Sequence, residues 1–371
     1  MLAVLTTTLI VSLISALLAA VITVTDSFVN NYGTVKILIN KRKTLQAKGG
    51  SPLLFTLASQ GIFIPSACGG RGSCGVCKVK ILTDVGPYLP TELPYISKEQ
   101  MKEGIRLSCQ IKVKKDLEIE IPEELLFAKK FKAIVEKIRD VTYDIKELTL
   151  KLVDPEVIDF RAGQYVQLSV PPYDKIKEIT QRAYSISSVP SQKDRIELLI
   201  RLVPGGAATT YVHYYMKQNE QIEFTGPFGE FYVRETDAMM ICVAGGSGMA
   251  PIKSIIFDLY EKGVTNREIW YFFGARSLRD LFYLDLFKEL EQKWSNFHFI
   301  PALSNPLPED SWNGELGLIT DVLNRYLKER IEPSKPKEGY LCGSPGMINA
   351  CIQVMKDNGI SEEKIYYDKF A

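Results

Sequence analysis

The chain has 371 residues, 45 Lys and Arg against 44 Asp and Glu, and a formal net charge of +1. That length exceeds one compact core and calls for two or three domains. The charge balance, with no dense basic run, excludes a nucleic-acid-binding class. Seven cysteines, an odd number, are not spaced as a disulfide framework and point to a reducing compartment. The two histidines, His213 and His298, stand apart from any ligand cluster and read as structural. Imidazole base chemistry is not expected.

Residues 1–25 carry no charge, and Asp26 is the first charged residue. Roughly 20 apolar residues cross a bilayer core as a helix, so 1–25 reads as a transmembrane helix. A signal peptide would want a positive n-region, which is missing. A buried core helix is the other alternative. Lys36, Lys41, Arg42, Lys43 and Lys48 follow, and the positive-inside tendency places the rest of the chain in the cytoplasm. Residues 26–33 read as a polar linker.

Residues 34–127 read as a small mixed sheet with one helix and a long loop. Thr34–Asn40, Lys43–Gln46, Cys77–Leu82 and Leu117–Ile121 alternate as strands, and Pro52–Ser59 as a short helix. Residues 128–235 hold short strands at near-regular spacing: Lys132–Ile138, Ile145–Leu152, Tyr165–Val170, Arg182–Ser187 and Ile196–Val203. With a helix over Thr209–Lys217 and a closing strand over Ile222–Phe224, they predict an antiparallel β-barrel. Residues 236–371 alternate strand and helix from the apolar Ala238–Val243 to Lys364–Tyr367, the pattern of a doubly wound parallel sheet.

Chemistry concentrates in four places. Cys68, Cys74, Cys77 and Cys109 have the spacing C-x5-C-x2-C-x31-C among glycines. This is one residue from the plant-type C-x4-C-x2-C…C set of a [2Fe–2S] cluster. A structural zinc is the alternative, although zinc usually takes two close cysteine pairs and Cys109 has no second cysteine nearby. Arg182-Ala-Tyr184-Ser185 offers a guanidinium for pyrophosphate, a ring to cover a flavin face and a hydroxyl for its reactive nitrogen. Gly205-Gly206-Ala-Ala-Thr209-Thr210 opens a helix as an anion site, and Gly226-Pro-Phe-Gly229 is a rigid turn. Gly245-Gly246-Ser247-Gly248-Met-Ala-Pro251 joins a buried strand to a helix and offers backbone N–H groups to a dinucleotide pyrophosphate; it is not the G-x-G-x-x-G fingerprint, and a plain tight strand–helix turn is the alternative. Cys342-Gly343-Ser-Pro345 repeats that strand–turn–helix change, and Cys342 is positioned to touch a nicotinamide. Cys242 and Cys351 read as inert core.

Together these residues resemble the ferredoxin-NADP reductase superfamily. The cysteine spacing and the stretch Leu89-Pro-Thr-Glu-Leu93…Gly104-Ile-Arg-Leu-Ser-Cys109-Gln110 resemble, within it, the F-subunit family of sodium-translocating NADH:quinone oxidoreductases. The resemblance implies a membrane helix, a β-grasp [2Fe–2S] ferredoxin domain, an FAD barrel and an NADH domain. It implies that Cys68, Cys74, Cys77 and Cys109 hold the cluster, and that Arg182, Tyr184, Ser185, Arg201 and Thr210 hold FAD. Gly206, Thr209 and Gly226 would support the same cofactor. The 245–251 loop, Cys342 and Gly343 would meet NADH, with Arg276 by the adenosine half. Phe370 would shield the flavin. Ser185, Cys342 and Phe370 are thus the residues expected at the reacting groups. The implied partners are NADH and membrane redox subunits of a larger complex in the bacterial inner membrane. The chain departs from the family in having only Pro171–Gln181 before its Arg-x-Tyr-Ser motif, and in ending Phe370-Ala371. A reductase feeding an oxygenase is the second reading, and a non-catalytic tethered electron carrier the third.

Overall fold

The computed structural model describes residues 2–29 and 32–369, with side chains left out at 2–5, 7, 22 and 24–29. The chain divides into two compact units, Met1–Phe127 and Ala128–Ala371.

The first unit begins with helix α1, Leu2–Val29. The helix continues four residues into the stretch expected as linker, since no Gly or Pro interrupts it before Gly33. Among the described residues no helix is long and apolar enough to cross a membrane. Leu9, Ile10, Val11, Leu13, Ile14, Leu17, Leu18 and Val21 of α1 are nonetheless 52–69% exposed. The sheet that follows takes β1 (Thr34–Ile39), β2 (Lys43–Lys48), β3 (Lys78–Ile81), β4 (Ile105–Leu107) and β5 (Leu117–Glu120) in the order β2-β1-β5-β3-β4. β1 and β5 run parallel, and the remaining pairs are antiparallel. Period-2 alternation buries Val35, Ile37 and Ile39, and α2 (Leu53–Ser59) buries Leu53, Leu54 and Leu57. A short helix α3 (Lys98–Lys102) was not expected. Ser97 and Gln100 close it with reciprocal side-chain-to-backbone hydrogen bonds.

The second unit starts with strands β6 (Lys129–Asp140), β7 (Ile145–Asp154), β8 (Tyr165–Val170), β9 (Thr180–Ser185), β10 (Arg195–Arg201) and β11 (Gln221–Phe228). All pair antiparallel, in the order β10-β7-β6-β11-β8-β9. The sheet is a half-barrel whose edges meet through the bridge Ile186↔Leu198. Helix α4 (Ala207–Tyr214) packs on β8, β9 and β10.

The rest is a parallel sheet of β12 (Met239–Gly245), β13 (Ile269–Ala275), β14 (Phe297–Leu303), β15 (Glu315–Leu316), β16 (Lys337–Gly343) and β17 (Ile365–Lys369). Its order is β15-β14-β13-β12-β16-β17. Helices α5 (Met249–Glu261), α6 (Leu284–Lys293), α7 (Ile319–Glu329) and α8 (Pro345–Asp357) connect the strands. The strand order reverses between β12 and β16, which is where open parallel sheets bind ligands, beyond the carboxyl strand ends. A polar joint holds half-barrel to parallel sheet. Arg139 pairs with Glu147 at 2.9 Å, the Tyr283 hydroxyl donates to Glu147, and Lys253 pairs with Glu197 at 2.7 Å.

Candidate functional site

The four predicted ligand cysteines come together as two pairs. Cys68 Sγ lies 3.3 Å from Cys74 Sγ. Cys77 and Cys109 form the second pair, because the Ser108 N–H donates to the Cys77 carbonyl at 2.8 Å and ties the end of β4 to the start of β3. Their shared hydrogen bond pulls the Cys109 thiol down to about 6 and pushes Cys77 up. Among the described residues, no three His, Cys, Asp or Glu converge on one metal position. Zinc would need all four thiolates around one point. Two pairs fit two irons, and this donor set fits a [2Fe–2S] cluster. The loop wraps tightly: Gly75 has φ +69°, and a Cβ there would stand 2.6 Å from Tyr95. Gln110 Nε2 donates to Cys109 Sγ at 3.4 Å, the kind of bond that tunes a cluster.

An ion pair clamps the flank of this loop. Arg106 forks onto Glu92 at 3.0 and 2.7 Å and donates to the carbonyls of Gly86 and Pro87. Glu92 also accepts the N–H groups of Leu89 and Leu107. Burial raises the Glu92 carboxyl, but the guanidinium and the two N–H groups more than offset it, so its pKa is lowered. Both members lie in the stretch that carries the family resemblance, but their pairing was not read from sequence.

In the second unit Arg182, Tyr184 and Ser185 share β9, with Tyr184 opposite Val166 and Ser185 opposite Tyr165 on β8. The hydroxyls of Tyr184, Ser185 and Ser187 and the Gln167 amide nitrogen are buried with no hydrogen-bond partner among the described residues. An unsatisfied buried polar group costs about 1–3 kcal/mol. Four along neighbouring strands of one barrel wall fit a bound polar cofactor such as flavin. Arg182 donates to the Gln181 carbonyl at 2.7 Å and stays half-buried.

Near them, Thr209 braces the turn into α4. Its hydroxyl accepts the Val203 N–H at 3.1 Å and lies 3.2 Å from the Gly206 carbonyl. Thr210 stands in the first turn of α4, and Gly226 occurs in a cis Gly226–Pro227 peptide at the end of β11. Arg201 is placed differently from Arg182. It pairs with Asp144 at 2.7 Å and stands beside the Gly246 turn of the parallel sheet.

At the switch point β12 ends on Gly245, and Gly246-Ser247-Gly248 make one turn into α5, with Gly246 at φ +55°. Gly248 is held to glycine by crowding: a Cβ would lie 2.3 Å from the Cys342 carbonyl oxygen. Pro251 is the third residue of α5 and is buried. Gly343 turns beside Gly245, and Arg276 is exposed just past β13. Cys342 lies near the carboxyl end of β16 and is buried. Its thiol is fully enclosed among Met249, Ala250 and Tyr271, where burial raises it well above its usual value. Phe370 lies outside the described residues. Asp368, opposite Cys342 on β17, lines a cavity of about 230 Å³ with Tyr165, Gly229, Arg234 and Tyr366. Its carboxyl is raised by burial. A lone Asp on a short terminal strand carries no sequence signal.

Three family patterns match in this order. They are the 2Fe-2S iron-sulfur cluster binding domain over residues 37–114, the oxidoreductase FAD-binding domain over 132–232 and the oxidoreductase NAD-binding domain over 242–353. Fold and site define the class of flavin- and nicotinamide-binding oxidoreductases that carry an iron–sulfur domain. Among solved structures, the chain is similar to the Amycolatopsis cytochrome P450 reductase GcoB. The TM-score is 0.73 at 26% identity, over 91% of this chain and 99% of that one. It also shares its fold with the ferredoxin reductase in carbazole 1,9a-dioxygenase, with a TM-score of 0.68 at 24% identity. The F subunit of the Na(+)-translocating NADH-quinone reductase of Neisseria gonorrhoeae is 38% identical over 95% of this chain and 96% of its own length. The corresponding protein of Klebsiella pneumoniae is 39% identical over 97% of both. The chain belongs to this F-subunit family.

Proposed function

We propose that the chain oxidises NADH and passes electrons through FAD and a [2Fe–2S] cluster to a membrane redox partner, as the electron-input subunit of a sodium-translocating NADH:quinone reductase. The observation that carries this is near-full-length kinship to the F-subunit family combined with the two-plus-two thiol set. When bound, the three groups supply conversion of a two-electron hydride donor into single electrons. The residues of this chain do the placing. Cys68 with Cys74, and Cys77 with Cys109, hold one iron each. On β9, Tyr184 and Ser185 present their unpartnered hydroxyls to the flavin, and Arg182 faces its pyrophosphate. The turn of Gly206, Thr209 and Thr210 and the Gly226 turn complete that wall. Gly245, Gly246, Ser247, Gly248 and Gly343 give the nicotinamide nucleotide a close backbone approach, Pro251 lies in the first turn of the helix behind them, and Arg276 meets the adenosine half.

In this reading α1 is a single-pass anchor in the bacterial inner membrane, with the β-grasp domain and the remaining domains in the cytoplasm. Support comes from the charge-free 1–25 and from exposed aliphatic side chains around the helix, which water does not tolerate as a contiguous surface. One helix forms no ion path, so sodium movement belongs to other subunits. Purified full-length chain should contain flavin and reduce ferricyanide with NADH. Protein without flavin and without NADH oxidation would refute the function. The similarity to GcoB favours a second reading, a reductase feeding an oxygenase. Co-purifying partner proteins decide between the two.

A further inference from the structure

From Ser27 to Thr83 the sequence holds no Asp or Glu, but it holds Lys36, Lys41, Arg42, Lys43, Lys48, Arg71, Lys78 and Lys80. The fold sorts these charges. In the β1–β2 hairpin Thr34 lies opposite Lys48 and Ile39 opposite Lys43. At about 3.4 Å per residue, Lys41–Lys43 are therefore carried about 17 Å from the point where the chain enters the domain. There Arg42 pairs with Glu123 at 3.0 Å.

The entry end gains other lysines in exchange. β5 starts beside β1 in parallel, Ile37 opposite Leu117, so the loop before it lies along the start of β1. The Gly50 N–H donates to the Val113 carbonyl at 2.7 Å, and the Lys36 N–H to Asp116 Oδ1 at 2.7 Å. Lys36, Lys48, Lys112, Lys114 and Lys115 thus gather, all exposed, at one end of the sheet, with Asp116 beside them. Lys112 lies over the Tyr32 ring at 5.2 Å. Among the described residues Lys36, Lys48, Lys114 and Lys115 enter no ion pair, unlike Arg42 and Lys80.

We propose, on the reading of α1 as a membrane anchor, that this lysine end lies against the anionic phospholipid headgroups of the bilayer. Connectivity selects the bilayer over an acidic protein. α1 ends at Val29, and Tyr32 follows three residues later, no more than about 11 Å away along a fully extended chain. The lysines are held at that junction, within reach of a surface potential that decays over about 8 Å. Lys41–Lys43 are held two such lengths further off. Because β3 runs antiparallel to β5, with Lys80 opposite Glu120, Cys77 leaves from the other end of the sheet. The contact leaves the cysteine loop uncovered.

The test uses the full-length holoprotein with vesicles of phosphatidylcholine alone or mixed with phosphatidylglycerol. Flotation is measured first, and then the rate of amine acylation at each lysine by mass spectrometry. Phosphatidylglycerol should slow acylation of Lys36, Lys48, Lys114 and Lys115 roughly five-fold each, as expected for a basic residue near an anionic surface. Lys98 and Lys102 on α3 should not change, and molar salt should abolish the effect. In K48E/K112E/K114E/K115E the protection of Lys36 should disappear while NADH–ferricyanide activity stays at the wild-type level. Flotation with both lipids but equal acylation in each would overturn the proposal and leave the anchor standing. Flotation with phosphatidylglycerol vesicles alone would support the lysine contact and overturn the anchor. Flotation with neither would overturn both.

Discussion

Cys74 and Gly248 show how much single positions decide. Removing the Cys74 thiol leaves Cys68 as one ligand where an iron needs two. Cys74→Ala should abolish the visible absorption of the cluster while NADH-to-ferricyanide turnover through flavin persists, and loss of both would mean that the modules are not separable. Gly248→Ala would put a methyl group 2.3 Å from a carbonyl oxygen, so the turn or β16 must shift. A displacement of about 1 Å near bound substrate costs on the order of a hundredfold. Steady-state kinetics should show that loss in kcat/KM for NADH, with flavin content unchanged. At this scale the sequence was most legible where backbone chemistry demands a residue type, as in the cysteine spacing and the glycine turns. It did not disclose how deeply the Cys342 thiol is buried, because a strand buried on both faces has no in-and-out alternation to read. Nor did spacing disclose which cysteines pair. That follows from the Ser108–Cys77 bond across β4 and β3.

Among the elements, β4 and α3 were missed, since three and five residues are too few to show a period. What makes β4 stable is the Arg106–Glu92 clamp rather than propensity. Breaking a buried pair by removing one partner costs about 3–5 kcal/mol. Arg106→Leu should therefore lower the stability of the first unit by about that amount, read as earlier thermal loss of cluster absorption. The pH dependence has a definite sign. The folded Glu92 pKa lies below its usual 4.5, so its contribution is present above that value and is lost as pH falls through the lower folded value. Melting of the wild-type unit should drop on acidification below about 4.5, and Arg106→Leu should lose most of that slope. The β1–β2 hairpin was legible as strands, yet which lysines join Lys36 and Lys48 at its entry end depended on register with β5, a contact between distant segments.

For the molecule as a whole, the order of parts was legible because each style of periodicity is distinct: an uncharged run, a cysteine loop, short alternating strands, then strand–helix alternation. The joint of Arg139, Glu147 and Tyr283 was not, since it joins residues 144 and 136 positions apart. Anchorage predicts that the full chain stays in the membrane pellet at alkaline pH, whereas a chain lacking residues 2–29 is released and keeps NADH–ferricyanide activity. Release of the full chain would contradict the anchor. The central claim is electron passage from NADH to the cysteine loop within one polypeptide. Anaerobic addition of NADH to the purified chain, followed by optical and electron paramagnetic resonance spectra, tests it most directly. The account predicts bleaching of the flavin together with the signal of a reduced [2Fe–2S] cluster, and in Cys109→Ala the bleaching alone. A reduced flavin beside a cluster that stays oxidised in the wild-type chain would contradict it.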